Sequence, residues 1–172
     1  MQDSGVTTMT RNHIETLAGL IRNGFAPETC VPATLDVAYL VGNLDGWFTE
    51  KQDRCFESIA SGLGKKPADV SPDAVGLNAK LAHLRGRISE EEFLNTFLAG
   101  VRPVCETLGR TPGFPVRRAF ALWLAISLAD GAISPVCRKA LESLQQLIQS
   151  CAIINGGENE KTSCRSWSSG EK

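Results

Sequence analysis

Apolar residues recur along this chain at the spacing of helices. Ile14, Leu17, Ala18 and Ile21 follow the i, i+3, i+4, i+7 pattern that gives a helix one buried face. Further stripes of this kind lie within 37–44, 55–63, 74–84, 94–108, 119–129 and 141–151. No stretch alternates between apolar and polar residues for long enough to indicate a strand. The pattern predicts an all-α fold, a single compact bundle of about seven helices.

One stripe is apolar on all sides. In "AFALWLAISLA", residues 119–129, Ser127 is the only polar residue. A helix without a polar face is buried all round, so we expect a central helix near 117–129. The stretch is too short to cross a bilayer, which takes about 20 residues.

The composition changes near the end of the chain. Residues 155–172 are polar and rich in glycine and serine, which is typical of a disordered tail. We therefore expect one helical domain over residues 1–154, followed by this tail. We assign no partner to Trp167, a lone aromatic residue within the tail.

Charge and cysteine content narrow the possible partners. The 172 residues carry 18 Lys and Arg against 19 Asp and Glu, so no strong field attracts nucleic acid or an anionic membrane. No apolar run is long enough for a membrane span, and the start lacks the apolar core of a secretory signal. Six cysteines occur without a Cys-x-x-Cys pair, as in reduced core thiols. We expect a cytoplasmic protein whose partner is another protein.

Three connectors between helices share one pattern: "LDGWFTEKQ" at 44–52, "LRGRISEEE" at 84–92 and "ADGAISPVC" at 129–137. In each, we expect the glycine to end a helix and the Ser or Thr to cap the next one. Gln52 and Glu92 stand three residues after their caps and complete capping boxes, whereas the third connector has Cys137 there.

Capping does not explain Asp45 and Asp130, which precede two of the glycines. A carboxylate opposes the negative end of a helix dipole, whereas Arg85 in the middle connector suits it. Two explanations stay open. Each carboxylate accepts hydrogen bonds from N–H groups of the following helix, or the two lie close together and share a cation. An EF-hand is excluded because its alignment places Val41 and Ile126 at positions that need oxygen ligands.

The stretches "VAYLVGNLDGWFTEKQ" and "FALWLAISLADGAISPVCRKAL" resemble the tellurite-resistance TerB-like family over about residues 30–153. The resemblance implies a bundle of about seven helices with a pseudo-repeat and an acidic cluster that binds a divalent metal ion or a partner. Asp45 and Asp130 would be its metal ligands, with Glu50 and Asp53 as weaker contributors. The glutamate of the family motif is replaced here by Gln52 and Cys137.

We therefore expect a non-catalytic helical module of a stress response that binds a divalent metal ion. The alternative is a protein-interaction scaffold without metal. No nucleophile or phosphate-binding motif indicates an enzyme, and His13 and His83 fit structural positions on helices. The remaining catalytic alternative is Cys137, because the first turn of a helix lowers the pKa of a thiol.

Overall fold

The computed structural model describes residues 10–152, and all regular secondary structure within them is helical. The helices are α1 (Arg11–Arg22), α2 (Pro27–Gly42), α3 (Glu50–Gly62), α4 (Pro72–Leu84), α5 (Glu90–Arg110), α6 (Val116–Ser127) and α7 (135–152), with a 3₁₀ turn at Pro67–Asp69. The all-α bundle of seven helices is confirmed for this range. The predicted tail at 155–172 and its Trp167 lie outside the described residues.

Hydroxyl side chains start five of the helices. The hydroxyls of Thr10, Thr49, Ser71, Ser89 and Ser134 each accept a hydrogen bond from the backbone N–H three residues further on. The capping boxes predicted at 49–52 and 89–92 are both present. These caps satisfy backbone N–H groups that the first turn of a helix leaves without a partner.

Helices α2 and α6 form the centre of the bundle. Every residue from Ala33 to Leu44 is buried except Tyr39, and α2 packs against α1, α3, α4, α5 and α6. No residue from Ala119 to Ala129 is exposed, so the expectation of a buried helix there is confirmed. Trp123 of α6 is wholly buried, and its indole N–H donates to a carbonyl of α2 at 3.1 Å.

Two of the predicted helix ends are wrong. Helices α2 and α6 stop at Gly42 and Ser127, so Gly46 and Gly131 lie in turns beyond them rather than at the helix ends. Of the three connector glycines, only Gly86, with a φ of 81°, directly follows a helix cap as expected. Helix α5 continues through Pro103 to Arg110. No helix among the described residues is long and apolar enough to cross a membrane.

Helices α1 and α3 approach closely at Gly62. A Cβ atom built on this buried residue would lie 2.6 Å from the Ala18 Cβ and 2.8 Å from the Glu15 carbonyl oxygen. At Gly19, on α1, an added Cβ would meet none of the described atoms within 4 Å. The same substitution therefore has opposite consequences at two helical glycines.

We expect Gly62→Ala to lower the free energy of unfolding by about 1–3 kcal/mol, because it forces two packed helices apart. Gly19→Ala should raise it by about 0.4–1 kcal/mol by restricting the unfolded chain. Urea denaturation of both variants measures the difference. Equal effects at the two positions would contradict the close contact of α1 with α3.

Candidate functional site

The structure brings two of the three connectors together. We call the stretches at 44–52, 84–92 and 129–137 the first, middle and last connector. The Thr49 hydroxyl of the first connector donates to Asp130 Oδ1 at 2.7 Å. The Ser134 hydroxyl of the last connector donates to Asp45 Oδ1 at 2.9 Å. Each connector therefore supplies one aspartate and one hydroxyl to the other.

In both bonds the donor is an N-cap hydroxyl, whose oxygen also accepts a hydrogen bond from its own helix. Thr49 and Ser134 already accept from the N–H groups of Gln52 and Cys137, at 3.1 Å in both cases. A hydroxyl can donate one hydrogen bond while accepting others, so each cap holds its own helix and a distant carboxylate. The predicted bonds from N–H groups of the following helix are not what Asp45 and Asp130 make; each accepts instead from the opposite connector.

The same pairing explains why carboxylates are tolerated here. Asp45 follows the end of α2, but its hydrogen bond to Ser134 holds it at the start of α7. Asp130 likewise follows α6 and lies at the start of α3 through Thr49. The start of a helix carries partial positive charge and stabilises a carboxylate. The unfavourable dipole of one helix is thus offset by the favourable dipole of another.

Gln52 and Cys137, each three residues after a cap, have structural partners. The Gln52 amide donates to the Ile126 carbonyl oxygen at 3.4 Å, and the Cys137 thiol contacts the Val41 carbonyl oxygen at 3.8 Å. Gln52 and Cys137 hold equivalent positions, and so do Ile126 and Val41, each four residues before an aspartate. Equivalent contacts therefore join α3 to α6 and α7 to α2.

Cys137 does not have the lowered pKa that its place at the start of a helix predicts. Burial and the neighbouring Asp45 carboxylate, 3.6 Å from the sulfur, raise the pKa of this thiol to about 11. Desolvation and a nearby negative charge both disfavour the thiolate, and here they outweigh the dipole. The thiol is therefore protonated at neutral pH, which argues against the catalytic alternative raised for Cys137.

The middle connector packs beneath the first. Arg85 donates to the carbonyl oxygens of Asn43 at 2.8 Å and Leu44 at 3.1 Å. These carbonyls follow the end of α2, where a cation is stabilised by the helix dipole. Arg85 thus stabilises the end of α2, whereas the sequence pattern predicted that its charge stabilises the end of its own helix, α4. Its guanidinium also lies over the Phe93 ring, 5.7 Å from the centroid.

A third hydroxyl–aspartate pair lies at the start of α4. Asp36, on α2, accepts from the Ser71 hydroxyl at 2.7 Å and from its backbone N–H at 3.0 Å. Sequence reasoning missed this pair, although Asp36 is the one charged residue in the apolar run "PATLDVAYLVG". A buried carboxylate in such a run needs hydrogen-bond donors, which is the signal that was available.

Glu50 and Asp53, the two weaker metal-ligand candidates, lie in a cleft with aromatic side chains. Both line a cleft of about 370 Å³ whose other lining residues are Tyr39, Asn43, Trp47, Phe48 and Thr49. Asp53 makes no side-chain hydrogen bond or ion pair within residues 10–152, and Glu50 pairs only with exposed Arg54 one turn away. Sequence reasoning took these carboxylates as metal ligands and missed the aromatic walls beside them.

Phe48, on the aromatic side of this cleft, is anchored by packing and by a hydrogen bond. Phe48 packs against Phe56 and Tyr39 with centroid distances of 5.3 and 6.1 Å, and its N–H donates to Asn43 Oδ1 at 3.1 Å. A side chain at Gly42 would collide with Phe48, since an added Cβ would lie 2.4 Å from its ring. Trp47, next to this anchored residue, is 75% exposed.

Within residues 10–152, no three His, Cys, Asp or Glu side chains are grouped so that they would hold a metal ion. Asp45 and Asp130 each accept a hydrogen bond from a hydroxyl of the opposite connector. Comparison of the chain with protein-family models, curated proteins and solved structures finds no match.

We expect Asp130 and Thr49 to be energetically coupled. Asp130→Ala should lower the free energy of unfolding by about 0.5–1 kcal/mol, because the carboxylate is exposed and loses one hydrogen bond. Since Thr49→Val removes the same bond, the double variant should lose less than the sum of the single changes. Chemical denaturation of the four proteins measures this coupling.

The matched control is Asp73→Ala, which removes an exposed carboxylate at the start of α4. Combined with Thr49→Val, it should give additive losses within about 0.5 kcal/mol. Additive losses for Asp130 and Thr49 as well would contradict the link between the connectors.

Proposed function

We propose that this chain is a non-catalytic helical module that acts by binding another protein, with the surface around Trp47 as its contact site. The observation that carries the proposal is a large aromatic side chain, 75% exposed, on a connector fixed by packing and hydrogen bonds. Tryptophan is enriched among the residues that dominate binding energy at protein interfaces. A rigid connector also presents it with little loss of conformational entropy on binding.

The other polar side chains at the first and last connectors support a binding role rather than a catalytic one. The carboxylates of Asp45 and Asp130 accept hydrogen bonds that join helices, and the Cys137 thiol has a raised pKa. The resemblance of both connectors to the TerB-like family supports the same kind of role, in a stress response of the tellurite-resistance type. The free thiols of the described cysteines agree with a reducing compartment, so we place the module in the cytoplasm.

Site-specific photocrosslinking tests the contact site. With p-benzoylphenylalanine in place of Trp47, we expect a defined protein to be labelled in cells that naturally make this chain. The same probe in place of Val75, an exposed apolar residue on α4, is the matched control. A labelled protein should then bind the purified chain, and Trp47→Ala should weaken the affinity by at least about tenfold.

Two outcomes would contradict the proposal. One is labelling from position 47 that does not exceed labelling from position 75. The other is a purified partner that binds Trp47→Ala as tightly as it binds the unaltered chain.

A second candidate function is binding of a divalent cation by Asp45 and Asp130. The specific observation in its favour is that both carboxylates are exposed and that each accepts a hydrogen bond from a hydroxyl of the opposite connector. Carboxylate and hydroxyl oxygens are ligands that Ca²⁺ and Mg²⁺ accept, although such ions take six or more oxygens. Glu50 and Asp53 line the cleft beside Trp47, so most of the remaining ligands would be water.

Melting temperature in the presence of Ca²⁺, Mg²⁺ or Mn²⁺ tests the second candidate. A ligand at 100 times its Kd adds about 2.7 kcal/mol, which raises Tm by several degrees in a domain of this size. The rise should be lost in the double variant Asp45→Asn, Asp130→Asn and kept in Asp53→Asn. An unchanged Tm at millimolar metal would contradict the cation site.

A further inference from the structure

The cleft beside Trp47 combines aromatic walls with negative charge. Tyr39, Trp47 and Phe48 line it together with the carboxylates of Glu50 and Asp53. Among the described residues that line this cleft, no Lys or Arg is present. Two other clefts of similar volume, between α4 and α5 and between α5 and α7, each include a lysine.

Both components favour the same class of ligand. The face of an indole attracts a cation through its negative quadrupole, and tryptophan is the strongest of the aromatic side chains in this respect. Carboxylates attract the same group by charge, and they repel phosphates and other anions. A small hard cation gains little from aromatic walls, because it prefers oxygen ligands. The cleft thus suits an organic cation.

The carboxylates are available for a new partner. Asp53 has no side-chain partner within residues 10–152, and both it and Glu50 are exposed. Glu50 pairs with Arg54 at i, i+4, and exposed pairs of this kind contribute little to stability. An incoming cation can therefore replace Arg54 at little cost.

We infer that the cleft binds a lysine or arginine side chain of a partner protein, with the cationic group over Trp47 and paired with Asp53. The inference rests on the proposed function, since it specifies the chemistry of the partner at the same contact site. The volume of about 370 Å³ accommodates one long side chain. The cation would be attracted by the indole and by the carboxylate at the same time, and both attractions require the same pose.

Nuclear magnetic resonance of the full chain tests this directly. The probes are capped ten-residue peptides in which serine alternates with lysine, arginine, glutamine or glutamate. The chain has three tryptophans, and Trp47→Phe identifies the indole N–H signal of Trp47 by its loss. We expect the lysine and arginine peptides to shift this signal in a saturable way, and the glutamine and glutamate peptides to leave it unchanged.

Matched variants separate the cleft from general charge effects. Asp53→Asn should weaken binding of the lysine peptide by about threefold, as expected for an exposed ion pair. Asp73→Asn removes the same charge from the first turn of α4 and should leave the affinity unchanged. Trp47→Ala should weaken binding by about tenfold, whereas Phe25→Ala, at another exposed aromatic residue, should not. For the Trp47→Ala protein, the backbone amide signal of Asp53 reports binding.

Three results would overturn the inference. The glutamine peptide shifts the Trp47 signal as much as the lysine peptide does, Asp53→Asn behaves like Asp73→Asn, or Trp47→Ala behaves like Phe25→Ala. A protein crosslinked through position 47 without any binding of the cationic peptides would refute the cationic ligand and keep the proposed function. If position 47 crosslinks no defined protein and the cationic peptides do not bind, both the inference and the proposed function are refuted.

Discussion

The hydroxyl of an N-cap residue can donate one hydrogen bond while it accepts another from its own helix. The organisation of this bundle depends on which group accepts the donated bond. Thr49, Ser71 and Ser134 each accept from the N–H three residues on and donate to an aspartate far away in the sequence. Each of these bonds fixes the start of one helix to another helix or its connector. Helix ends, which usually fray, thereby become points where helices are joined.

The hydrogen bonds from Thr49 to Asp130 and from Ser134 to Asp45 also determine which side chains the protein exposes. Because Asp130 holds Thr49 and Gly42 admits the Phe48 ring, the first connector has one defined path. Phe48 is turned inward by that path and Trp47 outward. The exposed indole and the carboxylates at the start of α3 therefore form one surface, which carries the proposed contact with a cationic partner.

Much of the fold was predictable, because it depends on local chemistry. The apolar spacing predicts the helices, and the capping pattern of the three connectors predicts the starts of α3, α5 and α7. The helix ends before Asp45 and Asp130 were not predictable. Where a helix stops depends on packing, and here the chain leaves α2 and α6 early to meet the opposite connector. The pKa of Cys137 was missed for a related reason, since the burial and the Asp45 carboxylate that raise it come from elsewhere in the chain.

The sequence by itself determined that this protein is helical, that three connectors share a capping pattern, and that two aspartates need an explanation beyond capping. Only the tertiary structure decided what the aspartates do, because a hydrogen bond between Thr49 and Asp130 joins residues that no local pattern relates. It also placed Glu50 and Asp53 in one cleft with Trp47. Helical spacing records which side of a helix is apolar, whereas the neighbours of an exposed charge follow from how helices pack.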